Sequence, residues 1–252
     1  MLSNREVYGS VEFESWARRA DIEPAEAYLF RNYLDPGGRT VEAGIGGGRL
    51  LFSLGDLGFT HLYGFDFVPE FVQAARVRDG DHRLKLSAQD ATRLGYLDAS
   101  FDQIIYLQQV ISLIENPQGR RHAMEEAIRV LRPGGVALFS FLSHEVRSQA
   151  MNYRLFSTYL RALRLVRGAR RSRQMWPWLR LGGRFNFRSL YDAGPYVYWY
   201  RADEAVGELQ SVGFKVRGVA SRLQIEKGRL CKSAEELLQE PMEGALYCVC
   251  FK

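Results

Sequence analysis

A glycine-rich turn is the first part of the sequence that could bind a ligand. It runs Glu42-Ala43-Gly44-Ile45-Gly46-Gly47-Gly48-Arg49, between a strand-like stretch and a helix-like one. Glycine lets the backbone adopt positive φ and approach a ligand, and the helix that follows offers free N–H groups. A dinucleotide fingerprint needs Gly or Ala where Arg49 stands, and a P-loop needs a lysine that the turn lacks. The turn therefore indicates a nucleotide-like ligand of another kind.

Two acidic residues follow the next two strand-like stretches. Asp66 ends the second strand, in Y-G-F-D-F, and lies 20 residues after Gly46. Asp90 lies in S-A-Q-D-A-T, after the third strand. A carboxylate at the end of the second strand can accept hydrogen bonds from both ribose hydroxyls. One after the third strand could accept from an adenine amino group. Either acid could instead cap a helix N-terminus, but three loops that end at one sheet edge favour a shared site.

These residues need a scaffold in which strands and helices alternate. Strands are predicted over 39–43, 61–65, 83–87, 101–107, 136–141, 214–219 and 245–251, and helices over 49–56, 69–77, 117–131 and 202–212. Pro69 would open the second helix, and Pro133-Gly134-Gly135 would stop the third. The alternation predicts a single α/β domain over 1–252 with a parallel, doubly wound sheet. Such sheets bind ligands outside the carboxyl ends of their strands.

Together the motifs resemble the class I S-adenosylmethionine-dependent methyltransferases of the small-molecule type. V-E-A-G-I-G-G-G-R matches the first family motif, Y-G-F-D-F the acidic end of the second strand, and S-A-Q-D-A-T-R-L the adenine-contacting loop. F-D-Q-I-I-Y-L resembles the fourth strand, and A-I-R-V-L-R-P-G-G-V-A-L-F-S-F the helix, turn and fifth strand. The resemblance covers about residues 25–143 and 197–252. It implies a Rossmann-like seven-stranded sheet, mostly parallel with the last strand antiparallel, and S-adenosylmethionine as methyl donor, with S-adenosylhomocysteine as product.

By position, the resemblance implies a set of donor-binding residues. Glu42 would hold the methionine end, Asp66 the ribose hydroxyls and Asp90 the adenine edge. The other implied positions are Gly44, Gly46, Gly48, Phe67, Ala91, Leu107 and Gln108. The run from Gln108 to Leu113 departs from the family, whose members often carry histidine or asparagine-rich residues there, so no catalytic residue is transferred. Neither N-P-P-Y nor D-P-P-Y occurs at this position, which argues against enzymes that methylate amino groups of nucleic acids.

Methyl transfer needs little chemical catalysis from protein side chains, because the sulfonium of S-adenosylmethionine is already a reactive methyl donor. The acceptor atom must lie in line with the methyl–sulfur bond, about 3–3.5 Å from the methyl carbon, and water must be excluded. A base is needed only where the acceptor must lose a proton. His144, after the fifth strand, is the candidate base, and Tyr200 the candidate acceptor-site aromatic. His144 could instead be a solvated loop residue, and Tyr200 could simply pack in the core. Tyr8 and Trp16 could fold over the donor, with plain packing again as the alternative.

Residues 144–196 are predicted to form an inserted substrate cap. At 100° per residue, 151–167 forms an amphipathic helix, with Met151, Leu155, Phe156, Tyr159, Leu160, Leu163 and Val166 on one side and Arg154, Arg161 and Arg164 on the other. We favour a helix whose apolar side packs on the core while its arginines are solvated. The alternative is a helix that lies on a membrane surface. Aromatic residues between 185 and 200 could wall an acceptor pocket, or they could form a small core within the cap itself.

Charge is distributed unevenly along the chain. The net charge is +5, yet residues 144–188 contain eleven arginines and one acidic residue, a balance of +10. This asymmetry predicts an anionic partner or surface. The composition, 46% hydrophobic, is that of a globular protein, and no signal peptide or spanning segment is indicated. The three cysteines fit neither a disulfide framework nor a zinc pattern, so we expect no metal and a cytoplasmic location, either free or peripheral to a membrane.

Three functions remain open from the sequence. The favoured one is methyl transfer to a small apolar, aromatic or lipid-like acceptor. An RNA methyltransferase that uses the arginine-rich segment is the second, although no RNA-binding module is recognisable and nucleic acid is the less favoured partner. The third is a non-enzymatic module that binds an adenosyl ligand, because fold does not fix function. The acceptor and the oligomeric state are left open.

Overall fold

Strands and helices alternate along residues 3–252, the part of the chain that the computed structural model describes. The strands are β1 Thr40–Ala43, β2 Leu62–Asp66, β3 Lys85–Ala88, β4 Phe101–Tyr106, β5 Leu131–Ser143, β6 Met175–Pro177, β7 Arg180–Leu181, β8 Arg184–Phe185, β9 Tyr196–Tyr200, β10 Lys215–Ser221 and β11 Leu246–Phe251. The α-helices are α1 Asn4–Tyr8, α2 Phe13–Arg18, α3 Pro24–Tyr33, α4 Arg49–Asp56, α5 Pro69–Arg78, α6 Pro117–Val130, α7 His144–Gln149, α8 Met151–Val166, α9 Ala202–Ser211, α10 Arg222–Glu226 and α11 Ala234–Leu238. Val110–Leu113 and Phe187–Tyr191 form 3₁₀ helices.

The central sheet follows a path of seven strands in the order β10-β11-β5-β4-β1-β2-β3, and β9 and β6 extend it beside β5. β1 pairs in parallel with β2 and β4, and the pairs β2–β3 and β4–β5 are also parallel. β11 runs antiparallel to both of its neighbours, β5 and β10. The predicted seven-stranded, mostly parallel sheet with an antiparallel last strand is confirmed. Because β1 and β4 are neighbours, the loops that follow β1, β2 and β4 meet at one edge.

Helices cover both faces of the sheet. Consecutive strand residues point to opposite sides, and apolar residues on both sides need a helix to bury them. Ile104 belongs to a core formed with α6 and α9, whereas Ile105 belongs to a second core formed with α3 and α4. Leu138 and Phe139 divide in the same way. Within residues 3–252, no helix is both long and apolar enough to cross a membrane.

The boundaries of the seven predicted strands agree within two residues, except in β5, whereas β6 to β9 were not predicted. Strand β5 begins at Leu131 and ends at Ser143, whereas 136–141 was predicted. The predicted turn is a bulge inside the strand: Phe101 of β4 pairs with Leu131, Gln103 pairs with Val136, and the register shifts between them. Gly134 has a φ of +76°, which the bulge requires. Hydrogen bonding across the bulge makes one long strand out of two stretches.

The segment 144–196 attaches at the carboxyl end of β5. β9 pairs in parallel with Leu142 and Ser143, the last residues of β5, and antiparallel with β6. α7 and α8 follow β5 directly and lie side by side. This arrangement puts the segment at the edge of the sheet where the loops after β1 and β4 also end.

Candidate active site

A cavity of about 550 Å³ opens at the carboxyl ends of β1, β2 and β3. Seven of the ten residues implied to bind the donor line it: Gly44, Gly46, Asp66, Phe67, Asp90, Ala91 and Gln108. The opposite wall comes from the N-terminal segment, through Tyr8 and Trp16, and from residues 113–122. The fold thus gathers residues from four loops, the N-terminal helices and α6 around one space.

The glycines of the turn are required by its geometry. Gly44 has a φ of +67°, and a Cβ there would lie 2.7 Å from Val110 Cγ2. Gly46 also has positive φ, and its N–H donates to Asp66 Oδ2 at 3.0 Å. Gly48 does not line the cavity; its φ of +83° starts α4, and a Cβ would lie 2.9 Å from Phe52 Cε2. Gly48 therefore shapes the turn and does not face a ligand.

Asp66 is held in place by backbone donors on both of its oxygens. Oδ2 accepts from Gly46, and Oδ1 accepts from the Val68 N–H at 2.9 Å. Each carboxylate oxygen can accept a further hydrogen bond, so two hydroxyl groups of a ligand can be accommodated. Burial raises the pKa of Asp66 to about 6. A buried carboxylate with spare acceptor capacity fits the ribose of an adenosyl ligand.

Glu42 lies at the end of β1 but is not among the residues that line the cavity. It is 3% exposed, and within residues 3–252 its Oε2 has no hydrogen-bond partner. Burial raises the pKa of this carboxyl well above its usual range. Orphaned buried acceptors are rare in folded proteins. An unpaired acceptor behind the turn is compatible with the methionine-end role implied for Glu42, and that role stays a prediction.

Asp90 caps a turn and not a helix, since no helix begins between β3 and β4, and its adenine role stays a prediction. The residue lines the cavity, and its Oδ1 accepts from the backbone N–H and the hydroxyl of Thr92, both at 2.8 Å. Local capping of the backbone is therefore present together with a position at the cavity. Phe67, 38% exposed, presents its ring to the same space.

Leu107 does not reach the cavity, contrary to the position implied for it. It is 1% exposed and belongs to the same core as Ile105. Residues two apart on a strand point to one side, so Leu107 continues the packing of β4 against the helices. Gln108, the next residue, has a φ of +56° and lines the cavity. The backbone therefore changes conformation at Gln108: the residues before it pack in the core, and Gln108 itself faces the cavity.

A buried ion pair behind the turn was missed from the sequence. Arg49 donates to both oxygens of Glu26, at 2.6 and 2.8 Å, and the two side chains are 5% and 1% exposed. Gln108 also donates to Glu26, and Arg19 donates to Gln108 at 3.3 Å. The arginine that excluded a dinucleotide site thus ties the turn to α3. The signal in the sequence was Glu26 itself, a charge three and four residues from Leu29 and Phe30 on an apolar helix face.

The N-terminal helices fold over the glycine turn, as considered for Tyr8 and Trp16. Their rings lie 6.2 Å apart edge to face, and Tyr8 also meets Trp178 at 5.6 Å. The Gly47 N–H donates to the Trp16 carbonyl at 3.3 Å. A Cβ on Gly47 would collide with the Ala17 backbone. α2 therefore closes the cavity from above and leaves room only for glycine below it.

The two candidate catalytic side chains lie away from the cavity. His144 begins α7, and its Nδ1 lies 3.4 Å from Ser148 Oγ. Tyr200 is fully buried against Phe141, and its hydroxyl donates to Glu208 Oε2 at 3.0 Å. Burial raises the pKa of the Tyr200 phenol. These placements favour packing for Tyr200, and the catalytic roles of both residues stay predictions.

The helix α8 differs from the favoured prediction in the face that it buries. Leu160 and Arg164 are buried, whereas Met151 and Leu155 are each 64% exposed and Val166 is 86% exposed. Arg164 donates to both oxygens of Asp192, at 2.7 and 2.6 Å. Asp192 lies just outside the stretch in which the arginines were counted. A partner 28 residues away thus turned an arginine inward and left part of the apolar side in solvent.

One group of side chains outside the cavity could approach a metal ion. Ligand atoms of Cys231, Glu236 and Glu240 lie within 4.8 Å of one another. Glu240 already pairs with Arg229, and Glu236 accepts from the Lys232 N–H at 2.8 Å. We assign no metal to this group.

Part of the chain matches a known protein family and a curated relative. Residues 41–139 match the family described as "Methyltransferase domain". The chain is 35% identical over 114 residues to 27-O-demethylrifamycin SV methyltransferase of Amycolatopsis mediterranei, a match that covers 43% of this chain and 40% of that relative. The chain thus spans less than half the length of this curated relative.

Solved structures share the fold over nearly the whole chain. A SAM-dependent methyltransferase from Methanosarcina mazei has a TM-score of 0.64 at 17% identity, over 92% of this chain and 98% of its own. The CcbJ methyltransferase from Streptomyces caelestis has a TM-score of 0.65 at 14% identity, over 97% of each chain. At this level of identity they show a shared fold, and the methyltransferase-domain match over residues 41–139 includes the loops after β1, β2 and β3 that line the cavity.

Proposed function

We propose that the chain transfers a methyl group from S-adenosylmethionine to a small acceptor with an apolar or aromatic body. The observation that carries the proposal is the cavity in which Asp66, Phe67, Asp90 and Gln108 converge beneath α2. Its volume of about 550 Å³ lies within the roughly 300–1,000 Å³ of small-molecule sites. Methyl transfer needs a positioned donor and a dry site more than it needs a catalytic base.

Each part of the site has a role in this proposal. Asp66 would accept from the ribose hydroxyls and Glu42 would pair with the donor's ammonium group, while Asp90 and Ala91 read the adenine. The bound donor supplies an activated methyl group. Tyr8 and Trp16 would keep water from it, and the 144–196 segment would act as the cap that selects the acceptor.

The test is donor-dependent methylation of fractionated extract from the source cells. With labelled S-adenosylmethionine we expect one small product, identified by a mass increase of one methyl group, and S-adenosylhomocysteine in equal amount. The Asp66→Ala protein is the matched control and should give neither. Binding of S-adenosylhomocysteine without transfer to any small-molecule or RNA fraction would favour the non-enzymatic adenosyl-binding module.

We propose a second property, peripheral contact with an anionic membrane. An apolar stripe along α8, formed by Met151, Leu155, Tyr159 and Val166, is exposed. We name it the α8 stripe. Arg154 and Arg161 are exposed beside it on the helix. Phosphate binding alone would need the arginines but not the stripe, whereas a membrane surface uses both.

Neighbouring aromatics extend this surface beyond the helix. Phe187 and Tyr191 of the second 3₁₀ helix are 72% and 67% exposed. The Tyr159 hydroxyl donates to the Leu190 carbonyl, so this 3₁₀ helix lies beside the α8 stripe. Near an anionic leaflet each basic residue contributes about 1 kcal/mol.

Vesicle co-sedimentation separates the membrane proposal from RNA binding. We expect the protein to sediment with phosphatidylglycerol-containing vesicles more than with phosphatidylcholine vesicles. Leu155→Glu combined with Val166→Glu should abolish sedimentation, whereas Leu97→Glu, at an 81% exposed leucine elsewhere, should not. Absence of vesicle binding would contradict the proposal. Salt-sensitive RNA binding in its place would support the RNA methyltransferase alternative.

A further inference from the structure

A second cavity of about 390 Å³ lies at the carboxyl end of β5, next to the donor cavity. Leu142, Tyr153, Trp199 and Tyr247 form much of its wall. Gln108 lines the donor cavity and Gln109 lines the second one, so consecutive residues after β4 separate the two spaces.

The partition between the cavities is built from few side chains. Gln108 and Gln109 have φ values of +56° and +60°, which turn their side chains away from the regular strand. Arg19 donates to Gln108 at 3.3 Å and to Glu23, which lines the second cavity, at 2.6 Å. A molecule in the second cavity could therefore extend past Gln108 and bring its acceptor atom to the methyl group of the donor.

Arg147 is the unusual member of this second cavity. Its guanidinium carbon lies 3.4 Å from the ring centroid of Tyr153 and 4.5 Å from that of Trp199. Within residues 3–252 its buried Nε has no hydrogen-bond partner. The Trp199 Nε1 is also a buried donor without a partner in that part of the chain. Buried donors without acceptors are costly and rare.

The other charges at the cavity do not neutralise Arg147. Glu23 is paired with Arg19. Glu145, two residues before Arg147, accepts from the Ser143 hydroxyl at 3.2 Å and the Ala202 N–H at 3.1 Å. Arg222 adds a second positive charge to the lining. Its contacts with Glu226 and Glu243 are 3.5 and 3.6 Å long.

We propose that this cavity holds the methyl acceptor, and that the acceptor is a flat apolar or aromatic molecule that carries a carboxylate. The inference rests on the methyl-transfer function proposed above. The carboxylate would pair with the Arg147 guanidinium and accept from Trp199 Nε1, which satisfies both orphaned donors. The stacked aromatic rings fix the guanidinium in orientation, which suits a planar acid. Leu142, Val146 and Ala150 supply apolar contact for the rest of the molecule.

The test compares acids with neutral analogues of the same shape. In the presence of saturating S-adenosylhomocysteine, titration calorimetry would measure benzoate and 4-hydroxybenzoate against benzamide and 4-hydroxybenzamide. We expect the acids to bind about 10- to 100-fold more tightly, the range of one or two charge-assisted hydrogen bonds. Arg147→Met should remove this preference, and Arg147→Lys should keep part of it. Arg217→Met, at an exposed arginine of β10, is the matched control and should change nothing.

Two further measurements separate the ways in which the inference can fail. Affinity for S-adenosylhomocysteine, measured on every variant, should stay constant; its absence from the unmodified protein would overturn the proposed function itself. Trp199→Phe keeps a ring and removes the donor, so a several-fold loss of acid binding is expected even if Arg147→Met folds poorly. Equal binding of acids and amides would overturn the carboxylate proposal alone. Tighter binding of phenyl phosphate than of benzoate would overturn the choice of carboxylate.

Discussion

Replacing Asp66 with alanine is expected to weaken binding of S-adenosylhomocysteine by at least tenfold. Each hydrogen bond to a charged group contributes about 1.5–3 kcal/mol, and Asp66 can accept from two hydroxyls. Calorimetry on the purified protein measures the change. Asp98→Ala, at an acid whose side chain is 79% exposed, is the matched control. An unchanged affinity in Asp66→Ala would show that the donor is held elsewhere, and NAD binding at the same site would contradict the assignment of the family.

The same carboxylate should make donor affinity depend on pH. Because burial raises the pKa of Asp66 to about 6, the group protonates as the pH falls through that value and loses acceptor capacity. Affinity should therefore be highest above pH 7 and decline below pH 6. Asp66→Asn removes the titrating group but keeps its size, so its weaker affinity should be flat over this range. A decline that persists in Asp66→Asn would belong to Glu42, whose pKa burial also raises.

Replacing Arg49 with methionine is expected to destabilise the fold by about 3–5 kcal/mol, the cost of breaking one side of a buried ion pair. Glu26 would remain buried with Gln108 as its side-chain donor. The free energy of unfolding in urea measures the effect. Arg18→Met is the matched control, because the Arg18 and Glu14 side chains that form its ion pair are 82% and 68% exposed. Such exposed pairs contribute about 0–1 kcal/mol to stability.

The double variant Glu26→Gln with Arg49→Met distinguishes a buried charge from lost packing. Removing both charges should recover more than half of the stability lost in Arg49→Met, because no uncompensated carboxylate remains. If the double variant is as unstable as the single one, the arginine acts through its packing against α3 and not through its charge.

The sequence by itself determined those features that depend only on residues close together along the chain. The Gly44–Gly48 turn requires positive φ at several positions, and only glycine adopts it without strain. Asp66 and Asp90 follow strands that their apolar patterns identify, and parallel strands bring such ends to one edge. The order of the predicted strands and helices followed from the same local periodicity, which is why their boundaries agree within two residues outside β5.

Only the tertiary structure decided how distant residues meet. Glu26 and Arg49 are 23 residues apart, and the residues around each of them do not indicate that the other is its partner. Arg164 was expected in solvent, but Asp192 draws it inward and rotates α8, so part of the apolar side faces outward. Leu107 lies in the core, one residue before the backbone turns. Helical and strand periodicity indicate that a face is apolar, but burial depends on which long-range partners pack against it.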